Sequence, residues 1–300
     1  MTTGVLLMAH GTPASTAEIA PFYTRIRRGR PPSAEQLAEL EGRYAAIGGV
    51  SPLTVRTAAQ VDAIRAALEA RSPGHYVVSF GAKHTDPLIE ESAALLGGAD
   101  LERVIGLVLT PHASSMGSQE YLDRAATALA STHFVPIGAW YAERDFVTVV
   151  AARVRAALHA QPGRSTVIFA AHSLPERVRE DGDTYPEQVA ESARLVADDA
   201  GLERWGVAWQ SAGRTPEPWL GPDVRDEVRR LSAEGGTDVV IVCPIGFVSD
   251  HLEVLYDLDV ELAAVAADCG LGYRRTASLN DDPAFLRFLA DVVTAADEAN

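Results

Sequence analysis

Cysteine is almost absent: the 300-residue chain has two, Cys243 and Cys269. They form no Cys-x-x-Cys pair, and two thiolates cannot supply the four that an iron–sulfur cluster takes. They read as free thiols in a reducing cytoplasm. Lysine is scarcer still. Lys83 is the only one, so nearly all positive charge is arginine, a bias that fits genomic base composition. The net charge of −15 argues against nucleic acid or an anionic membrane as a general partner. No apolar run approaches the ~18 residues of a membrane span, and the chain enters a strand at Val5 without a basic leader. Phosphate-cradling loops of the GxGxxG or Walker A type are missing, as are GxSxG and HExxH. Ser173 directly follows His172, but adjacency in sequence does not make a triad.

What is present is a regular alternation. Apolar residues make up 47% of the chain, ample for a packed core, and the length suits two domains. Short runs at Val5–Ala9, Tyr76–Phe80, Val104–Leu109, Phe134–Ile137, Thr166–Ala170, Gly206–Trp209, Val240–Cys243 and Gly272–Arg275 read as strands. Helical patterns lie between them, and Ser33-Ala34-Glu35-Gln36 is a capping-box signature. Strand alternating with helix predicts α/β domains, each a doubly wound parallel sheet covered on both faces. Gln161-Pro162-Gly163 is the best linker, which gives domains over residues 1–160 and 161–300. An internal echo supports two halves: Val5-Leu6-Leu7-Met8-Ala9-His10 and Val167-Ile168-Phe169-Ala170-Ala171-His172 each run apolar strand, alanine, histidine, with a proline three residues on. Two such domains facing across a cleft would bring both histidines toward one ligand.

The most informative stretch is Val240 to Asp257. Val240–Cys243 is a strand, Pro244 and Gly246 stop it, and a helix begins near Ser249 or Asp250, both good N-cap residues. Its loop belongs at the carboxyl end of the sheet, where α/β proteins place ligands. The helix carries Glu253, Asp257 and Glu261 at four-residue spacing. In an α-helix that row drifts by about 40° per step. Like charges on one face repel, so a positive partner is expected nearby. An acidic helix is ordinarily a solvated face; its placement straight after a strand and a Pro/Gly loop favours a cation site. His172 at a strand end is either a satisfied structural histidine or a metal and proton-transfer residue. Imidazole with carboxylate suits a divalent metal in transit, such as ferrous iron, because a thiolate cage would hold it too tightly. His251 reads as a residue that supports or caps the helix start. Lys83, His84 and His112 also sit at strand ends.

The other half of the constellation is basic. Arg25, Arg27, Arg28 and Arg30 fall within six residues. A solvated loop is the plain interpretation; the functional one is a site for several carboxylates, which guanidinium engages in pairs of bonds. Arg43 and Tyr44 on the next helix could add to it, and Tyr23, Tyr121 and Trp219 could wall an apolar body.

The stretches MAHGTP, PFYTRIRRGRPP, RYAAIGGVSPL, GAKHTDP, AHSLPERV, VAWQSAGRTPEPWLGPDV and PIGFVSDHLEVLYDLDVE run in order to about Glu261. In them the chain resembles the ferrochelatases, in their Gram-positive, coproporphyrin-using branch. The resemblance implies two flavodoxin-like domains around a porphyrin cleft and ferrous iron insertion into coproporphyrin III on the way to haem b. It implies His172 and Glu253 as the metal and proton-transfer pair, with Asp257 and Glu261 extending an acidic path for iron. Arg27, Arg43, Tyr44, Ser51 and Tyr121 would hold the tetrapyrrole, mostly through its propionates. It also implies a π-bulge in the acidic helix, no cofactor beyond substrate iron, no stable membrane insertion, and transient contact with neighbouring haem-pathway enzymes. One position departs from the pattern: His10 stands where this branch usually carries tyrosine. The tyrosine is taken as an axial ligand of the metallated product, so His10 is expected to bind substrate and ligate product iron. A chelatase for protoporphyrin IX or sirohydrochlorin, and a haem carrier that uses the cleft without the acidic row, are the alternatives.

Overall fold

An unbroken apolar run cannot alternate between core and solvent, so it belongs at the centre of a sheet covered on both faces. Thr3–Ala9 (β1) is such a run, buried at every position. In the computed structural model, which describes residues 2–160 and 163–300, β1 pairs in parallel with Tyr76–Ala82 (β2) and Arg103–Val108 (β3). His133–Ile137 (β4) completes the order β2-β1-β3-β4. The second half repeats it with Ser165–His172 (β5), Trp205–Gln210 (β6), Val239–Cys243 (β7) and Gly272–Arg275 (β8) in the order β6-β5-β7-β8. The fold is therefore α/β, with two four-stranded doubly wound parallel sheets, as the alternation of elements predicts.

The helices are Ile19–Ile26 (α1), Ala34–Ala46 (α2), Leu53–Arg71 (α3), Ile89–Gly97 (α4), Ser118–Leu129 (α5), Arg144–His159 (α6), Arg177–Glu180 (α7), Tyr185–Ala200 (α8), Val224–Glu234 (α9), Ala263–Asp268 (α10) and Pro283–Glu298 (α11). The capping box at Ser33 forms with both of its bonds: Gln36 N–H to Ser33 Oγ at 3.2 Å and Ser33 N–H to Gln36 Oε1 at 3.0 Å. The single turn α7 carries no sequence signal, since four residues show no period. No helix among the described residues is long and apolar enough to cross a membrane.

One continuous apolar core lies between the sheets, from Val5, Leu7 and Leu107 through Trp140, Phe146 and Phe285 to Phe169 and Ile241. Each sheet has a smaller core on its outer face, around Met8 and Leu122 in one and Ile168 and Leu258 in the other. The strands divide between the halves on either side of the Gln161-Pro162-Gly163 stretch, of which Gln161 and Pro162 lie outside the described residues. The helices do not follow that division. α6 lies against α8 of the second half, and α11 returns to α3 of the first. Asp297 at the end of α11 accepts from Thr3 Oγ1 at 3.0 Å and faces the His75 ring at 2.7 Å.

In both sheets the chain reverses direction of travel beside the first strand. The crevice at such a switch point, outside the carboxyl ends of β1 and β3 or β5 and β7, is the ligand position of this architecture. His10 follows β1 and His172 ends β5.

Candidate active site

The two histidines of the sequence echo are held alike. His172 Nδ1 lies 2.5 Å from the Ser173 carbonyl, and His10 Nδ1 lies 3.1 Å from the Gly11 carbonyl. A hydrogen bond to a carbonyl fixes the proton on Nδ1 and leaves Nε2 to face the cleft. The surroundings then set the two rings apart. His172 Nε2 is 3.6 Å from Glu253 Oε1. Burial works against a charged imidazole there, but the carboxylate outweighs it and holds His172 up to about 9. At His10 the Glu253 charge acts more weakly than burial does. Its ring packs 4.7 Å from the His84 ring and edge-on to Phe22. The crowding of the cleft wall holds it below its ordinary value, and His84 is pushed down to about 3, first by burial and then by His10 and Lys83.

Glu253 stands at the start of the acidic row. Its other oxygen, Oε2, lies 3.7 Å from His251 Nε2. Burial would raise this carboxyl, but the two imidazoles hold it well below the usual range. The expected cap at Ser249 or Asp250 does not form, and helical structure begins at Leu252. Both side chains are committed elsewhere: Ser249 Oγ accepts from Gln60 at 2.9 Å, and the Asp250 carboxylate accepts from Ser278 at 2.7 Å and Asn280 at 2.8 Å. The loop is thereby clamped from α3 and from the segment before α11. Gly246 lets it lie against β5, since a Cβ there would meet Ala171 Cβ at 2.9 Å.

From Glu253 to Leu262 the helix is π-helical throughout, well beyond a local bulge. Its i→i+5 bonding widens the turn and offsets the drift of a four-residue repeat. Each carboxylate of the row has a partner. Asp257, 7% exposed, pairs with Arg43 from α2 and accepts from Ser211 Oγ. Ser211 sits in the left-handed region at φ 58°, a strained conformation that aims its hydroxyl at the row. Burial raises the Asp257 carboxyl even so, against Arg43 and Ser211. Glu261, nearer the surface, lies 3.9 Å from Arg225. The expected positive partner of the acidic row is thus Arg43 itself.

The remaining residues anticipated as substrate contacts fall into two groups. Arg27 is partly exposed, donates to the Arg30 carbonyl at 3.3 Å and stacks 5.6 Å from the Tyr23 ring centroid. Arg25 bonds the His84 carbonyl at 3.1 Å. Beside them opens a cavity of about 490 Å³ lined by Arg25, Arg28, Lys83, His84, Glu120 and Arg124. Tyr121 stands behind Lys83, whose ammonium lies 4.9 Å from its ring centroid, and is 8% exposed. Tyr44 and Ser51 are buried. The Tyr44 hydroxyl bonds Thr12 Oγ1 at 3.2 Å and its ring packs on Ile19 and Leu252, which seats α1 and α2 on the start of the π segment. Ser51 Oγ accepts from the N–H of Leu53, the first residue of α3, at 3.2 Å. In this state both are parts of the frame that carries the arginines.

The second half thus holds an imidazole–carboxylate pair, and the first half holds a cavity lined by basic side chains. Among the described residues no three His, Cys, Asp or Glu side chains converge as a metal cage. The pair supplies one nitrogen and one oxygen donor, a set for a cation whose other ligands come with a second reactant. The ferrochelatase family profile matches residues 2–297. The chain belongs to the ferrochelatase family. It is 41% identical to the coproporphyrin III ferrochelatase of Geobacillus kaustophilus over 97% of this chain and 95% of that one. It is 41% identical to the coproporphyrin III ferrochelatase of Bacillus subtilis, covering 97% and 96%, and 42% identical to a ferrochelatase of Herpetosiphon aurantiacus, covering 97% and 98%. Among solved structures, SirB from Bacillus subtilis with Fe3+ superposes with a TM-score of 0.59 at 14% identity, covering 99% of this chain and 96% of that one. CbiX, the terminal enzyme of sirohaem biosynthesis in denitrifying bacteria, gives 0.57 at 17%, covering 98% and 99%. At those identities the likeness shows a shared chelatase fold. Membership makes this chain a metal chelatase.

Gln60, Gln210 and Ser211 escaped the sequence reading. Gln210 Nε2 holds the Glu253 carbonyl at 3.1 Å. Its place at the end of β6 was the one available signal, because polar strand ends are common and most do nothing.

Proposed function

We propose that the chain inserts ferrous iron into coproporphyrin III and releases Fe-coproporphyrin III, the step that leads toward haem b in the cytoplasm. The observation that carries this reading is the His172–Glu253 pair at the switch point of the second sheet, and the arginine-lined cavity of the first half supports it with a site for acid groups. Proteins named for this activity resemble the chain over nearly its full length.

The reaction exchanges two pyrrole protons for one Fe2+, so the chain must present the ring, deliver the cation and remove protons. A flat ring hides its nitrogen lone pairs. Charge-assisted bonds from Arg27 and its neighbours to the propionates supply binding energy, and part of it bends the ring toward the geometry of metal transfer. Tyr44, Ser51 and Tyr121 keep the walls of that cradle in place. Asp257 and Glu261 continue the acidic row outward from Glu253 and offer an approaching cation successive oxygen donors. At rest the positive charge beside Glu253 is the His172 imidazolium. An arriving ferrous ion takes its place and drives that proton to solvent. When iron passes into the ring, the neutral imidazole accepts the first pyrrole proton, passes it to solvent and then accepts the second, with Glu253 steadying the charge each time. His10, held as the Nδ1–H tautomer with Nε2 toward the cleft, ligates the product iron from the other face. Iron is a substrate throughout, and the scheme needs no resident cofactor.

Anaerobic assays with ferrous iron and either coproporphyrin III or protoporphyrin IX test the reading. Four acid groups should outcompete two, so coproporphyrin III is expected to show the larger kcat/KM by at least ~10-fold, the scale of one lost charged contact. A preference for protoporphyrin IX, or binding of coproporphyrin without metallation, would set it aside.

A further inference from the structure

Arg43 and Asp257 face each other across the junction of the halves, 214 residues apart in sequence. Arg43 Nη2 is spent on Asp257 Oδ1, the guanidinium lies 4.8 Å from the Tyr256 ring centroid, and Nε is buried with no partner among the described residues. The other oxygen of Asp257 is held by Ser211. A propionate that claims this arginine and a cation that claims this carboxylate must therefore break the same pair.

We propose that Arg43 and Asp257 form an exchange latch, in which an acid group of the tetrapyrrole draws Arg43 away from Asp257 and the released carboxylate then receives the divalent cation. The inference rests on the reading of the cleft as a tetrapyrrole site. Charge balances at each stage. The guanidinium passes from one carboxylate to another, and the freed carboxylate passes from guanidinium to metal. Access sets the order. The Arg43 side chain is 27% exposed and that of Asp257 only 9%, so a ring can reach its partner before a cation can reach its own. Tyr256 keeps the guanidinium plane in position during the exchange, and Ser211 keeps the carboxylate aimed. Ring and metal binding are then linked, and each strengthens the other by the same factor.

The test measures Mn2+ binding to the full chain by the EPR signal of the free ion, with and without coproporphyrin III, while porphyrin fluorescence reports ring binding. The latch predicts that coproporphyrin tightens Mn2+ binding by ~10-fold, within the usual range of such couplings, and that its tetramethyl ester does not. Arg43→Gln should bind Mn2+ tightly without any ring and gain little from one. Asp257→Asn, which opens the pair from the other side, should bind coproporphyrin about 5-fold tighter than the parent chain, at the low end of that range. It provides the test even if Arg43→Gln fails to fold. Mn2+ affinity indifferent to bound coproporphyrin, or an unaltered ring affinity in Asp257→Asn, would overturn the latch and leave the chelatase reading standing. A chain that binds no coproporphyrin at all would overturn both.

Discussion

Replacing Glu253 with Gln removes one negative charge and almost no volume, which makes it a clean probe of the pair at the cleft. The charges face each other at 3.6 Å, with 34% of the His172 side chain and 33% of the Glu253 side chain exposed. Two unit charges about 4 Å apart attract by ~4 kcal/mol at a dielectric typical of protein surfaces and by ~1 kcal/mol in water. Solvent at a third of each group places this pair between those limits, at ~2 kcal/mol. At ~1.4 kcal/mol per tenfold, the midpoint of His172 should fall from about 9 to ~7.5 in Glu253→Gln. The assay is an NMR titration of the histidine C2 protons, with His172→Ala to assign the signal. The stability consequence has a definite sign. An imidazole raised by its partner contributes stability that is complete below its ordinary 6.5 and is lost as the pH climbs through about 9. Parent and Glu253→Gln should therefore differ most near pH 6, by ~2 kcal/mol, and least near pH 10. Iron insertion should fall by ~100-fold, the scale of a lost acid–base partner. A His172 midpoint unmoved by the substitution would refute the coupling on which the proton account depends.

Other outcomes follow from the same structure. Asp183 accepts from Ser114 Oγ and from both the N–H and Oγ of Ser115, and caps Tyr185, so it ties the two halves behind the cleft. Burial would raise its carboxyl, but these donors hold it below the usual range. A depressed carboxylate stabilises above its ordinary value and ceases to as the pH falls through its folded one. Asp183→Ala should thus lower stability by ~2 kcal/mol at pH 7, and the gap from the parent should close below about pH 4. Gln60 is 1% exposed and donates to Ser249 Oγ and to the Asn280 carbonyl at 2.8 Å. Gln60→Leu should cost ~2 kcal/mol in thermal unfolding and lower kcat by ~10-fold while the KM for porphyrin holds, because the loop before Glu253 loses its tether. His10→Ala should change the absorption spectrum of the product complex, and an unchanged spectrum would remove His10 from the iron.

The fold was legible because most strands are short apolar runs closed by glycine, proline or a polar cluster, and because one capping box announces itself at Ser33. The echo between His10 and His172 was legible for the same reason, since both are first strands of repeated sheets. What the sequence hid is distant or competitive. The helix was expected to start at Ser249 or Asp250, but partners from Gln60 and Asn280 claim those side chains, and no local pattern reports a bond spanning 189 residues. Arg43 and Asp257 looked like members of two separate sets, and only the docking of α2 on the π segment brings them together. Tyr44 reads as a contact of the substrate site, yet packing against Ile19 and Leu252 buries it. The π geometry over the whole of Glu253–Leu262 has no local signature beyond the spacing of its acids.

The most direct test is anaerobic single-turnover metallation of coproporphyrin III by ferrous iron, with the parent chain and with His172→Ala. The account predicts rapid loss of the free-porphyrin absorption with the parent chain, and with His172→Ala a porphyrin that still binds but is metallated at least ~100-fold more slowly. Equal rates for the two chains would contradict it.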